Sequence, residues 1–190
     1  DEYTMLFQAE AFAAGKLGGQ FPPPLVPFLI PPWFVGYFFD VAPDGTVLGV
    51  YWPGFSLLLT PFAWLGTPWL LNPLLAAGCV LLVWKVSAEI GGQAAAGWAV
   101  LLAIASPEFL TNGLSYYSMT AHLFFNLLFV WLLMRPGLLA VFAAGFVGSI
   151  ALVLHQPLSH ALFALPWIAW LAASRARWPR LVALGLGYLP

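Results

Sequence analysis

Charge is the first thing that this chain lacks. Only 7% of its 190 residues are charged, against roughly 25% in soluble globular domains. The chain is instead 62% hydrophobic, with a mean hydropathy of +0.91. Its net charge of −1 and lack of a basic patch give no support to a nucleic-acid partner, and none is expected. A single cysteine, Cys79, excludes an internal disulfide framework. This composition predicts an integral membrane protein.

Familiar cofactor motifs are also missing. The chain has no glycine-rich phosphate loop, no GxGxxG and no Ser/His/Asp pattern. It has neither H-x-x-x-H nor C-x-x-C, and His155 and His160 are separated by Pro157, so they would not share a helical face. No cofactor is therefore certain. A divalent metal ion stays an open alternative, although no ligand spacing supports it.

Long apolar segments are abundant from Trp69 onward. They predict an all-α, polytopic transmembrane helix bundle over residues 67–190, with about five full spans and a truncated sixth from Leu181. Asn72 and Asn126 inside the spans are expected to link helices. The predicted spans are Trp69–Trp84, Ala94–Leu110, Ser118–Met134, Gly137–Leu154 and Leu158–Ala173. Because the chain opens without Met and ends within an apolar run, it reads as a piece of a longer protein.

Residues 1–66 predict a large extracytoplasmic loop with surface and half-inserted helices. Tyr3–Leu17 is expected to be a surface helix that stops at Gly18-Gly19, with Gln8 and Glu10 off its apolar stripe. That stripe comprises Met5, Leu6, Ala9, Phe12 and Ala13. Eight of the 17 prolines fall in Gln20–Pro53, which favours extended or turning backbone, with a turn at Pro43-Asp44-Gly45. The apolar run Phe55–Leu65 is too short to span a bilayer and predicts a half-inserted helix.

The basic residues predict the orientation. Five of the six lie in connections on one side of the bundle, which the positive-inside rule makes cytoplasmic. These are Lys85, Arg135, Arg175, Arg177 and Arg180. The acidic loop of residues 1–66 then faces the extracytoplasmic side of a plasma membrane, as in a bacterial inner membrane.

Polar groups gather at the predicted outer end of the spans, where ionisable residues are functional candidates. The candidates for substrate binding are His122, His155, His160 and Glu108. Each also has a structural interpretation: a helix–helix hydrogen bond for His122, hydrated interface positions for His155 and His160, and an exposed helix end for Glu108. Asp1, likewise, suits the role of a helix N-cap as well as that of a catalytic group.

Several short motifs resemble GT-C-type membrane glycosyltransferases. The similarity is to the family 39-like group, which is related to protein O-mannosyltransferases and to aminoarabinose transferases of lipid A. It runs nearly end to end and rests on the order and spacing of the motifs. They are Asp1-Glu2-Tyr3 through Gly15-Lys16-Leu17, Tyr51-Trp52-Pro53-Gly54-Phe55, Pro68 through Leu74, Ser106-Pro107-x-Phe109-Leu110, Tyr117 through His122 and His155-Gln156-Pro157.

The resemblance implies sugar transfer from a polyprenyl-phosphate carrier to a lipid, glycan or protein acceptor in cell-envelope glycosylation. It implies Asp1 as general base, with Glu2 next in line, an inverting displacement, and substrate contacts at Tyr51 and Trp52. Relatives often carry a second Asp near residues 115–122, and this chain has no acid there. His155 falls where others have arginine, so imidazoles are expected to meet the donor phosphate.

Two other classes remain open. A transporter or flippase of a lipid-linked sugar would place polar residues along the whole bundle axis. A non-catalytic assembly subunit would need neither the acids nor the histidines. The polar groups gather at one end of the predicted spans, which favours the enzyme.

Overall fold

The computed structural model describes residues 2–174 and 177–189. This part of the chain is 74% helix and 5% strand, so the prediction of a mainly helical protein is confirmed. It divides into two compact units. The first holds the residues up to Leu71 together with Ser115–Tyr117, and the second holds Asn72–Leu114 and the residues from Ser118 onward.

The first unit combines two helices of three turns with a small sheet and single-turn helices. Its helices are α1 (Glu2–Ala13), α2 (Val26–Leu29) and α3 (Pro53–Trp64), with 3₁₀ turns at Pro23–Leu25, Pro32–Phe34 and Pro68–Leu70. Its strands are β1 (Gly19–Gln20), β2 (Phe39–Val41) and β3 (Thr46–Gly49). The predicted apolar helix Phe55–Leu65 is confirmed as α3. At about 18 Å, from 1.5 Å per residue, it is too short to cross a ~30 Å hydrocarbon core.

Helix α1 differs from its prediction in two respects. It ends at Ala13, well before Gly18-Gly19, because Gly15 adopts φ 71° and the Lys16 N–H closes the last turn on the Ala11 carbonyl oxygen. Gln8, expected away from the apolar stripe, is buried beside Met5. The structure thus buries a face that combines polar and apolar side chains.

The proline-rich stretch contains a three-stranded antiparallel sheet that the proline count did not predict. Strand β3 lies in the middle, paired with β1 and β2. The predicted turn is confirmed: Gly45 has φ 86°, and the Thr46 N–H donates to Asp44 Oδ1 over 3.0 Å. Strands of two to four residues fit between prolines, which explains how a sheet survives there.

The second unit is built from helices. They are α4 (Leu71–Ile104, whose first residue belongs to the first unit), α5 (Pro107–Leu114), α6 (Met119–Leu133), α7 (Leu138–Leu154), α8 (Pro157–Ala172) and α9 (Arg177–Gly187). The sequence predicted a connection between residues 84 and 94. The structure describes all of these residues, and α4 is helical on both sides of a single break at Gly92 (φ 81°, ψ 178°). Only glycine adopts such a backbone without strain. The predicted span Ala94–Leu110 is interrupted instead at Ser106-Pro107, where α4 has ended and α5 begins.

One stretch among residues 2–174 and 177–189 is long and apolar enough to cross a membrane: the 37 residues Pro68–Ile104. Helices α5 and α6, bent by 109° at their junction, would make a second if they form one span. Helices α7 and α8 are apolar but shorter, at 17 and 16 residues.

Helices α6 to α9 alternate in direction around a common core. Arg180 near the start of α9 donates to the Leu133 carbonyl oxygen at the end of α6, and Tyr188 just after α9 reaches His160 near the start of α8. Buried apolar residues fill the half of these helices near Leu133, among them Val130, Leu133, Val141, Ala144 and Leu171. Arg175 lies outside the described residues.

Candidate functional site

The acid at the head of α1 holds another segment of the first unit. Glu2 Oε2 accepts a hydrogen bond from the Tyr116 N–H over 3.0 Å, and the rings of Tyr3 and Tyr116 lie 6.1 Å apart between centroids. A carboxylate in the first turn of a helix is also stabilised by the positive end of the helix dipole. Glu2 therefore fastens Ser115–Tyr117 to α1. Asp1, the predicted general base, lies outside the described residues.

Two tyrosines in this unit remain neutral phenols. Burial raises the pKa of Tyr116, and the nearby Tyr3, Glu2 and Glu10 raise it further. Burial also raises the pKa of Tyr51, with a smaller contribution from Tyr117. Both phenols keep their proton at physiological pH and can donate it in a hydrogen bond. The other predicted substrate contact, Trp52, is half exposed as the residue before α3.

The three histidines lie at one end of the second unit. His155 ends α7, and its Nδ1 lies 3.4 Å from Ser118 Oγ, just before α6. The rings of His155 and His122 are 6.5 Å apart between centroids and steeply inclined. The His155 imidazole thus lies between the Ser118 hydroxyl and the His122 ring at the end of the helices.

A chain of side-chain hydrogen bonds continues inward from His122. His122 Nδ1 lies 3.2 Å from Asn126 Nδ2, and Asn126 Oδ1 lies 2.6 Å from His160 Nδ1. His160 Nε2 in turn lies 2.7 Å from the Tyr188 hydroxyl. His160 is 1% exposed and Asn126 is 6% exposed. A connected polar chain is therefore buried among apolar helices, and Phe129 packs edge-on against its inner member, His160.

The amide of Asn126 gives this chain a direction. Its nitrogen donates to His122 Nδ1, and its oxygen accepts from His160 Nδ1–H. His160 Nε2 then accepts from the Tyr188 hydroxyl. Because His122 Nδ1 is an acceptor, the ring is neutral and its proton sits on Nε2. That Nε2 atom is buried and has no hydrogen-bond partner among the described residues.

Glu108 is in a different setting. Its Oε1 accepts from Asn112 Nδ2 over 3.0 Å, and both residues line a groove of about 390 Å³ between α5 and α6. The remaining lining residues are Ser106, Phe109, Met119, Thr120 and Leu123. Glu108 is exposed and bonds to Asn112. In contrast, Asn126 joins His122 to His160, and His155 bonds to Ser118.

The described residues contain no group of three or more His, Cys, Asp or Glu side chains that could hold a metal ion. The histidines are adjoined instead by hydroxyl and amide groups. What this end of the second unit offers chemically is hydrogen bonding.

Sequence reasoning anticipated some of these contacts and missed others. Asn126 is confirmed as a link between helices, through its bond from α6 to His160 in α8. The contact between Asn126 and His122 also had a signal in the sequence, because residues i and i+4 share a helical face. Tyr188 carried no such signal, because it meets His160 across 28 residues of chain. Ser118 meets His155 across 37 residues.

Comparison with protein-family models, with curated proteins and with solved structures finds no match for this chain.

Proposed function

We propose that this protein is an integral membrane glycosyltransferase that moves a sugar from a polyprenyl-phosphate donor to an acceptor on the extracytoplasmic face. The observation that carries the proposal is the polar group at one end of an otherwise apolar helical unit. Ser118 bonds to His155, the His155 ring adjoins the His122 ring, and Asn126 joins His122 to His160. Burying polar groups among apolar helices is costly, and such groups default to a functional role.

The membrane setting is supported by the apolar side chains that the helices turn outward. In α8, Leu158, Leu162, Leu165 and Trp170 are each at least half exposed. The three leucines follow one another at intervals of four and three residues, so they form one outward stripe, and Trp170 adds apolar surface beside it. A helix that is apolar both inside and outside belongs in lipid. Several short spans of this kind, beside the long one over residues 68–104, would make the polytopic bundle.

Within this proposal the chemistry belongs to the acids at the start of the chain. The resemblance to family 39-like GT-C enzymes assigns Asp1 as the base that removes the acceptor proton while the lipid phosphate leaves. Glu2 holds the Tyr116 backbone at the head of α1, which suits a supporting role beside Asp1. Direct displacement at the sugar carbon would invert its configuration.

The depth of the polar chain favours an enzyme over a transporter. Asn126 is the eighth residue of α6, so it lies about 10 Å along that helix. The remaining half of the helix packs through Phe129, Val130 and Leu133 in the apolar core. A translocation path needs polar groups along the whole axis, whereas a site for chemistry needs them at one end.

The test is sugar transfer by the protein reconstituted in lipid vesicles, with polyprenyl-phosphate-linked sugars as donors. We expect Asp1→Asn to lose at least a hundredfold in rate, the lower range for removal of a general base. Glu10→Gln is the matched control, because Glu10 is an exposed acid of α1. Full activity in Asp1→Asn would remove the assignment of the base.

Transport is measured in the same vesicles. Protein-dependent movement of the lipid-linked sugar across the bilayer, with no transfer to an acceptor, would replace the enzyme by a flippase. Absence of both activities from the intact protein would leave an assembly subunit.

A further inference from the structure

The polar side chains of the second unit are ordered from Tyr188 through the buried His160 and Asn126 to His122. Asn126 Oδ1 can only accept, so His160 carries its proton on Nδ1. The other nitrogen of the neutral His160 ring, Nε2, then accepts from the Tyr188 hydroxyl. The Asn126 amide nitrogen donates to His122 Nδ1, which confines the remaining His122 proton to Nε2. Each link thus determines the tautomer of the next.

This series of hydrogen-bonded side chains ends at His122 Nε2, a donor that has no acceptor among the described residues. His122 Nε2 is buried and unpartnered among the described residues, while every inner member of the chain is paired. A buried N–H left without a partner is unfavourable, and nearly all such groups in proteins find one. An order that runs through three other side chains and stops at this atom is what a preorganised ligand contact requires.

The chemistry around His122 favours an anionic acceptor. The side chains that adjoin it are the His155 imidazole and the Asn126 amide, and His155 in turn adjoins the Ser118 hydroxyl. None of these is an acid, so a cation would find no counter-charge. Phosphate oxygens accept hydrogen bonds and donate none, and bonds to charged acceptors are the stronger ones.

We propose that Asn126, His160 and Tyr188 are positioning residues that hold His122 as the Nε2–H tautomer, and that this N–H binds a phosphate oxygen. The identity of that phosphate as the headgroup of a lipid-linked donor rests on the proposed function. The tautomers assigned to His160 and His122 do not depend on the proposed function. His160, both of whose ring nitrogens are engaged within the unit, acts through His122 and does not touch the substrate.

The tautomers are directly observable by nitrogen NMR. The chain has three histidines, so a ¹⁵N-histidine-labelled sample in lipid nanodiscs gives few signals, assigned by single His→Gln variants. We expect the proton on Nε2 of His122 and on Nδ1 of His160. The opposite tautomers in the unmodified protein would overturn the proposal.

Two variants test whether Asn126 and Tyr188 determine the tautomers of the histidines that they contact. Asn126→Asp replaces the amide donor by an acceptor, so the His122 proton should move to Nδ1. Tyr188→Phe removes only the donor farthest from His122 and should release His160 into a mixture of tautomers while the fold is kept. Asn72→Leu is the control, since this buried asparagine of the same unit donates to the Asn112 carbonyl oxygen. An unchanged His122 tautomer in folded Asn126→Asp would refute the order.

Three probes test the ligand: farnesyl phosphate, inorganic phosphate and farnesol. We expect farnesyl phosphate, and not farnesol, to shift the His122 Nε2 signal. Asn126→Leu should weaken that binding on the order of tenfold to a hundredfold, the range for one hydrogen bond to a charged group. Equal binding of inorganic phosphate would place recognition in the phosphate alone, and no response to either phosphate would overturn the proposal.

This outcome is separable from that of the proposed function. A His122 shift with farnesyl phosphate but no sugar transfer by the intact protein would keep the phosphate contact and reject the enzyme. Sugar transfer with the His122 tautomer unchanged in Asn126→Asp would keep the enzyme and reject the positioning chain.

Discussion

The two units differ in how they satisfy their most buried polar groups. In the first unit polar side chains bond mainly to backbone: Gln8 to Leu17 and Gly49, Ser56 to Met5, and Glu2 to Tyr116. In the second unit the buried chain runs from side chain to side chain.

The difference follows from the backbone. Short strands and turns leave N–H and C=O groups without regular partners, so polar side chains near them are recruited to complete the structure. Helices pair most of their own backbone, so a polar side chain buried between them bonds either to other side chains or to the free carbonyl oxygens near a helix end, as Asn72 and Arg180 do. The polar side chains Gln8 and Ser56 of the first unit therefore complete its backbone structure, whereas the connected side chains of the second unit are the candidates for function.

The largest effect is expected from Gln8→Leu in the first unit. The side chain is buried, donates to the Leu17 carbonyl oxygen and accepts from the Gly49 N–H over 2.8 Å. Leucine keeps the volume and leaves both backbone groups unpaired, so we expect a loss of about 3 kcal/mol in the stability of this unit. Amide exchange at Gly49 measures it.

Gln20→Leu is the matched control for that change. Gln20 also bonds to a backbone carbonyl oxygen, that of Asp44 over 2.8 Å, but in an exposed setting where water replaces the bond. A change of about 0.5 kcal/mol or less is expected. Equal effects of the two variants would contradict the view that buried backbone groups of the first unit depend on Gln8.

A smaller loss is expected from Gly145→Ala, which tests packing in the second unit. A Cβ at Gly145 would overlap the Leu184 carbonyl oxygen and the Gly187 backbone, so α7 and α9 must separate. We expect a loss of about 2 kcal/mol, typical of overpacking, measured by thermal unfolding in detergent.

Gly185→Ala provides the contrast within α9. A Cβ there meets nothing within 4 Å, and the helical preference of alanine should stabilise the unit by about 0.5–1 kcal/mol. If both alanine variants shift the melting temperature in the same direction, close contact between α7 and α9 does not hold this unit together.

The smallest effect is expected where a charged pair meets solvent. Glu89 and Arg135 form a salt bridge, and each side chain is about one-third exposed. Glu89→Gln should change stability by less than about 0.5 kcal/mol, because solvent screens such pairs. A loss above about 1 kcal/mol, on the same thermal unfolding scale, would show that a surface ion pair stabilises this unit as much as its buried contacts do.

Sequence reasoning reached the helical class, the short α3 and the Asp44-Gly45 turn, each of which depends on local pattern. It did not reach the small sheet, whose three strands are too short to show alternation. It also expected a connection over residues 85–93, where the structure stays helical through Lys85 and Glu89 and breaks at Gly92 alone. Local patterns predict elements well, and they predict breaks poorly when a single backbone angle decides.

Composition alone determined that this chain is apolar, since only 7% of its residues are charged, and the lengths of its apolar segments predicted that it is helical. The sequence also singled out the three histidines, since ionisable groups are rare in it. Only the tertiary structure decided how they are related. It joins His122 to His160 through Asn126, attaches Tyr188, and leaves one N–H of His122 unpartnered among the described residues. A hydrogen bond forms only when donor and acceptor are positioned to within a few tenths of an ångström. The periodicity of a sequence does not encode such positions for helices that are far apart in the chain.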